Sequence, residues 1–204
     1  MANPNRARGL VPRKTKSGGP IAIHWVRSLA ADRSSDSTNN HGDIYMYDPI
    51  NISTSGVVIP ADSNVAISGV AVGFAPFSTV NFGASGSTTE PGPMLDPTNL
   101  TKRYLAYDEG GWIAYVQPRD VLFEIQSTSD LDLLVGSLAD TTLAAATAHG
   151  SRTTGYSNIE LTTASDNDVK VVEIVRSPDN DPTLTNTRYI VEIFIDNFEP
   201  NNAT

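Results

Sequence analysis

The feature that most constrains this chain is a rapid succession of short apolar runs, each closed by Gly, Pro, Asn or Asp. The runs at 44–52, 57–59, 65–74, 111–116, 121–126, 131–135, 169–175 and 189–195 are rich in Val, Ile, Tyr and Phe. Such side chains suit a pleated, half-buried surface, and turn residues at this spacing leave little room for long helices. Residues 21–26 add a first strand, in which alternation puts Ile21, Ile23 and Trp25 on one face. Pro49 falls inside its run and removes a ladder donor, so that strand is expected to be an edge or to be broken. The pattern predicts an all-β body: a single β-sandwich, or a jelly-roll or barrel-like domain. One helix is predicted, over 138–149 (LADTTLAAATAH), on the strength of its alanines. The segment 112–126 (WIAYVQPRDVLFEIQ) reads as two strands about a Pro118-Arg119-Asp120 turn, a hairpin-like core unit.

Charge divides the chain. The first 27 residues hold six of the 14 Lys and Arg and none of the 23 Asp and Glu. The remainder is therefore more acidic than the net charge of −9. Pro4, Pro12 and Pro20, with Gly9, Gly18 and Gly19, forbid a helix at the start. Residues 1–20 are expected to be an extended basic N-terminal arm that becomes ordered on another surface. Residues 21–198 form the body and 199–204 a frayed tail. Polar loops are expected at 32–42 and, longer, at 82–100.

Several function classes are excluded or disfavoured by composition. The chain has no cysteine, which excludes disulfides, Cys-ligated zinc and thiol nucleophiles. No apolar stretch approaches the roughly 20 residues that cross a bilayer, so no membrane partner is expected. The basic start lacks an apolar run behind it, so no secretory leader is expected. An acidic body disfavours nucleic acid as the main partner.

The search for chemistry is nearly empty. His24, His41 and His149 lie far apart, and a zinc site needs three or four converging ligands. No nucleophile elbow and no phosphate-binding loop is present. Carboxylates gather at Asp108-Glu109 and at Asp120 and Glu124, the residues an enzyme reading would use. On an acidic β-protein they read as surface charge. Asp166-Asn167-Asp168 and Asp179-Asn180-Asp181 look like pieces of calcium loops, yet neither has the Gly and the closing Glu of an EF-hand. They read as turns. Asn51, Asn99 and Asn202 match a glycosylation triplet that a chain rich in Asn, Ser and Thr produces by chance. No cofactor, no metal and no enzymatic activity are expected.

A set of landmarks, in order along the chain, resembles the small head-decoration, or cement, proteins of tailed bacteriophages. They are the opening Met-Ala-Asn-Pro with Gly9-Leu10-Val11-Pro12, the Tyr47-Asp48-Pro49-Ile50 element, the run 68–74 (SGVAVGF) and the block 115–126 (YVQPRDVLFEIQ). Thr154-Gly155-Tyr156-Ser157, Ser177-Pro178-Asp179-Asn180 and the closing run 189–198 complete the set. Two departures stand out: Tyr47 occupies the place of a familiar Gly, and the chain closes on Phe198-Glu199-Pro200 rather than the usual ending. The resemblance implies an all-β virion protein on the exterior of an HK97-type capsid, assembled in the host cytoplasm. Its partner would be the phage major capsid protein, stapled across capsomer boundaries by a homo-oligomer, expected as a trimer with a dimer as the alternative. Arg6, Arg8, Arg13, Lys14 and Lys16 are the expected capsid-binding residues of the arm. The competing reading is a phage tail or surface adhesin that binds host glycan or protein.

Overall fold

A computed structural model describes residues 2–29, 42–52, 56, 58–61, 67–76, 102–142, 150–163 and 168–193. The predicted loop at 82–100 lies outside them, as do all but the last residue of the loop at 32–42 and every residue from 194 onward, the tail expected at 199–204 included.

Thirteen strands are described: β1 (Val11–Thr15), β2 (His24–Ser28), β3 (Ile44–Tyr45), β4 (Pro49–Ile52), β5 (Val58–Pro60), β6 (Gly69–Pro76) and β7 (Tyr104–Leu105), then β8 (Gly111–Val116), β9 (Val121–Gln126), β10 (Leu138–Thr141), β11 (Leu161–Thr162), β12 (Val169–Ile174) and β13 (Arg188–Ile193). They form a six-stranded sheet in the order β1-β9-β13-β12-β10-β11, a five-stranded sheet in the order β2-β8-β6-β4-β5, and a β3-β7 ribbon. All named pairings are antiparallel. The all-β expectation is met.

The core has two compartments. Val121, Phe123 and Ile125 of β9, Val169 and Val171 of β12, and Tyr189, Val191 and Ile193 of β13 pack in one cluster with Val70 of β6 and Val116 of β8. That cluster joins the two large sheets. Ala71, Phe74 and Ile113 instead pack with Ile44 and Leu105 of the ribbon. The alternation of strand side chains thus buries the five-stranded sheet on both faces, and the ribbon is its lid. The six-stranded sheet curls back on itself. Ser127, just past β9, bridges Leu161 of β11, and the Thr128 N–H donates to the Leu161 carbonyl at 2.9 Å. Curling of this kind removes one sheet edge, as in a barrel.

Three expectations are corrected. First, β8 and β9 are not a hairpin. β8 pairs with β2 and β6, whereas β9 pairs with β1 and β13. A 3-10 turn at Pro118–Asp120 carries the chain from one sheet to the other. Both strands bury nearly every position, which suits interior strands with neighbours on each side rather than a two-stranded ribbon. Second, the helix over 138–149 begins as strand β10, which ladders with β11 and β12; sheet pairing overrides the weak pull of alanine. Residues 143–149 lie outside the described residues. Third, 131–135 is not a strand, and Leu134 and Val135 are exposed. The strand expected over 21–26 lies later and is the second of the chain: it is β2, with Ile23 just ahead of it, and Ile23 and, on this outermost strand of its sheet, Trp25 are both exposed. The run containing Pro49 is broken, as expected. Tyr47 between β3 and β4 has φ of 71°, in the left-handed region that β-sheet ladders exclude.

Phe123 is fully buried at the centre of the inter-sheet cluster. Phe123→Ala should destabilise the chain by about 3–5 kcal/mol, the cost of lost transfer energy plus a cavity. A drop in the urea midpoint with an unchanged slope is the expected reading.

Candidate functional site

The site is built around the N-terminal segment. Asn3 is buried, and its amide Nδ2 donates to the carbonyls of Asp181 (2.8 Å) and Thr185 (3.1 Å). Its Oδ1 accepts from the Asp181 N–H at 2.7 Å. The Arg6 N–H donates to Gln126 Oε1 at 2.7 Å, and Gln126 Nε2 donates to Asn5 Oδ1 and to Glu160 Oε1. Gly9 has φ of 73°; a Cβ there would stand 2.5 Å from the Tyr47 carbonyl and 2.6 Å from Ser157 Cβ. Only glycine allows that approach. It lets the Leu10 N–H donate to the Tyr47 carbonyl at 3.0 Å while the Leu10 side chain enters the inter-sheet core. β1 then ladders with β9 from Val11–Glu124 to Thr15–Val121, with a bulge between Pro12 and Lys14.

This arrangement corrects the expectation of an arm awaiting a partner. The segment is extended, but it is ordered on its own body. Arg13 pairs with Glu124 at 2.7 Å, Lys14 with Glu173 at 3.1 Å and Lys16 with Glu192 at 2.7 Å. These pairs are partly exposed, so each is worth at most about 1 kcal/mol. Their effect is to place three of the five expected capsid-binding cations against the molecule's own acids. Sequence reasoning missed this because the partners lie more than a hundred residues away.

Arg6 and Arg8 are placed differently. Both are exposed, and neither has a carboxylate partner among the described residues. With Arg13, Arg188, Tyr47 and Glu124 they line a recess of about 280 Å³. Glu124 is held by Arg13 and, at 3.6 Å, by Arg188, which also binds Asp179 at 2.6 Å. The Arg8 guanidinium lies 5.8 Å from the centre of the Tyr156 ring, and Arg103 lies 5.0 Å from it. Tyr47 stacks on Tyr156 at 5.8 Å and 15°. Cation–π contact holds Arg8 beside the recess without neutralising it.

Beneath Tyr47 sit two buried aspartates that sequence reasoning did not single out as a pair. Asp43 accepts from Arg152 Nε (2.7 Å) and Nη2 (3.0 Å), from the Tyr45 hydroxyl (2.9 Å) and from the Tyr107 N–H (2.9 Å). Burial alone would raise its pKa, but the Arg152 fork and the other donors outweigh burial and hold it below the ordinary value. Burial, then the Asp43 carboxylate, push the Tyr45 hydroxyl upward. Asp48 accepts from the Tyr45 N–H at 2.7 Å, and its Oδ1 has no partner. Burial raises its pKa well above the carboxylate range, with bonds from Ser157 and Tyr45 opposing and the Asp43 charge adding.

The carboxylates of the enzyme reading are dispersed. Asp108 and Glu109 lie in the turn between β7 and β8, where Glu109 binds Lys102 at 2.6 Å. Asp120 caps the other end of β8's exit, accepting from the Ser17 N–H and hydroxyl. Glu124 belongs to the arginine recess. Asp179-Asn180-Asp181 is a turn, as expected: Asn180 bonds Val175 and Arg188, and the turn backbone holds Asn3. Asp168 accepts from Thr141; its neighbours Asp166 and Asn167 lie outside the described residues. Among the described residues no group of three His, Cys, Asp or Glu converges to hold a metal. Comparison with family models, with curated proteins and with solved structures gives no match.

Two outcomes follow. Gly9→Ala should cost at least about 2 kcal/mol, from a left-handed φ and overpacking against Tyr47 and Ser157; thermal melts report it. The second concerns pH. Unfolded Asp titrates near about pH 3.9. The folded pKa of Asp48 lies above that, so its contribution is present below about pH 3.9 and is lost as pH rises through the folded value. Asp43, with a depressed folded pKa, contributes above about pH 3.9 and loses that contribution as pH falls. Asp48→Asn removes the first slope alone. The variant should gain stability relative to the parent chain between about pH 4 and about pH 7, read as the difference in urea midpoints.

Proposed function

We propose that the chain is a structural virion protein, a decoration or cement protein that binds the exterior of an HK97-type phage capsid and stabilises it across capsomer boundaries. The observation that carries this reading is the ordered run of landmarks that resemble those of that family. The structure gives those landmarks a common physical role. Gly9-Leu10, Tyr47-Asp48, Ala71 and Gly155–Ser157 meet at one node, through Leu10 to Tyr47, Tyr47 to Ala71, Met46 to Gly155 and Ser157 to Met46. Asn3 meets the 177–181 turn, and Gln126 ends the 115–126 block on Asn5 and Arg6. Residues far apart in sequence therefore act together to fix the N-terminal segment. The substitution of Tyr47 for the familiar Gly falls at a left-handed position, which glycine adopts freely. Many weakly held copies on a lattice would stabilise a shell by multivalency.

A second reading, a tail or surface adhesin, draws on the exposed Trp25 of the outermost strand β2 and the exposed Ile23 just before it. The loop first associated with it, 82–100, lies outside the described residues.

Co-sedimentation of the purified full-length chain with empty capsids of its own phage tests the first reading. Saturable binding in proportion to capsid symmetry sites is expected. Binding to host cells with none to capsids would select the adhesin. Removal of residues 1–20 is not a clean test, since it also deletes β1, Leu10 from the core and the Asn3 clasp; that truncation should lower stability as well as binding.

A further inference from the structure

We infer that the recess between the N-terminal segment and β9 is a binding site for acidic side chains of a partner protein, with Arg6 and Arg8 as its recognition residues. The inference deepens the decoration reading and rests on it for the identity of the partner, though not for the chemistry of the site.

The argument starts from charge. The chain is net acidic at −9, so a concentration of cations needs a local cause. Three cations of the opening segment have one, since Arg13, Lys14 and Lys16 each face an acid of the body. Among the described residues Arg6 and Arg8 do not, yet their backbone is fixed. The Arg6 N–H is tied to Gln126, and Gly9-Leu10 pins the chain immediately after Arg8. Anchored backbone lowers the entropy lost when their side chains engage a ligand. The Arg8 guanidinium lies 5.8 Å from the centre of the Tyr156 ring, a cation–π contact that does not neutralise its charge, and a guanidinium can bind a carboxylate bidentately. Within the recess Glu124 is already shared by Arg13 and Arg188, so it does not close the site to an incoming acid.

The same chemistry would attract phosphate, but the rest of the molecule discriminates. A nucleic-acid strand carries regular charge well beyond a recess of about 280 Å³ and would run over an acidic surface. One or two carboxylates on a protein loop fit the recess without that repulsion. Electrostatic complementarity of this local kind sets register and partner choice.

The test uses the full chain with a fluorescein-labelled oligo-glutamate peptide, and a labelled oligo-dT strand of equal charge, in anisotropy titrations. Arg6→Ala/Arg8→Ala should weaken peptide binding at least about tenfold, the scale of one charge-assisted bond. Arg119→Ala/Arg176→Ala changes net charge equally at two exposed positions away from the recess, and should leave binding within about twofold. Arg6→Lys/Arg8→Lys keeps charge and loses the fork, and should fall between the two. Circular dichroism melts confirm that each variant is folded. Equal loss in both alanine pairs, or no peptide binding by the parent chain, would overturn the site. Tighter binding of oligo-dT through the same two arginines would overturn the acidic-protein assignment in favour of nucleic acid. In the capsid assay, co-sedimentation that survives Arg6→Ala/Arg8→Ala would leave the decoration reading standing and remove the recess as its contact. Peptide capture by a chain that ignores capsids would keep the recess and remove that reading.

Discussion

The structure depends on the docking of its first residues against elements at the far end of the chain. Sheet pairing of β1 with β9, insertion of Leu10 into the core and the Asn3 clasp on the 181–187 region act on one short segment. Surface ion pairs add little energy to that arrangement, but they orient the strand. The burial of Leu10 and the satisfied amide of Asn3 contribute more, because an unpaired buried amide would cost several times what a surface pair returns. The segment is the outermost strand of the larger sheet, and without it β9 would expose a bare edge.

The second organising element is the polar node under Tyr47. It holds two aspartates in opposite electrostatic states within a few residues of each other. Asp43 is held ionised because a guanidinium fork and two further donors surround it. Asp48 has two donors, Ser157 and the Tyr45 N–H, among the described residues and is fully buried, so its neutral form is favoured. A pair of carboxylates with divergent pKa values often marks acid–base chemistry. Here both side chains are sealed from solvent, and they share Tyr45 of β3 as a partner, Asp43 through its hydroxyl and Asp48 through its N–H. The arrangement acts on chain direction: it holds Tyr47 left-handed and so sends its carbonyl toward Leu10 and its ring toward Tyr156.

Much of the strand content was legible because it depends on local pattern. Residues 111–116 and 121–126 read from alternation and punctuation match β8 and β9, and the break near Pro49 follows from proline chemistry alone. What was not legible depends on distant partners. Nothing in 112–126 says that its two strands enter different sheets. The alanines of 138–149 favour helix, but β11 and β12 offer residues 138–141 ladders on both sides. The apolar run 131–135 lacks a partner strand, and its tip remains in water. The basic segment was the largest misreading: local composition shows six cations and three prolines, but not Glu124, Glu173 and Glu192 waiting 111 or more residues downstream. The recess was half legible. Arg6 and Arg8 were named from the sequence, whereas Arg188, Tyr47 and Tyr156 joined them only in three dimensions.

The Asn3 clasp also sets an order of events in synthesis. Asn3 is made 178 residues before Asp181, to which it is tied. At typical rates of elongation the segment leaves the ribosome on the order of ten seconds or more before its site exists. Until Glu124, Glu173 and Glu192 have been made in turn, Arg13, Lys14 and Lys16 lack the acids they face in the finished fold. Closure of the fold is then a late, long-range step of the kind that slows folding in proteins of high contact order. The nascent chain passes through a cationic phase that the finished molecule conceals, leaving two arginines as its residue.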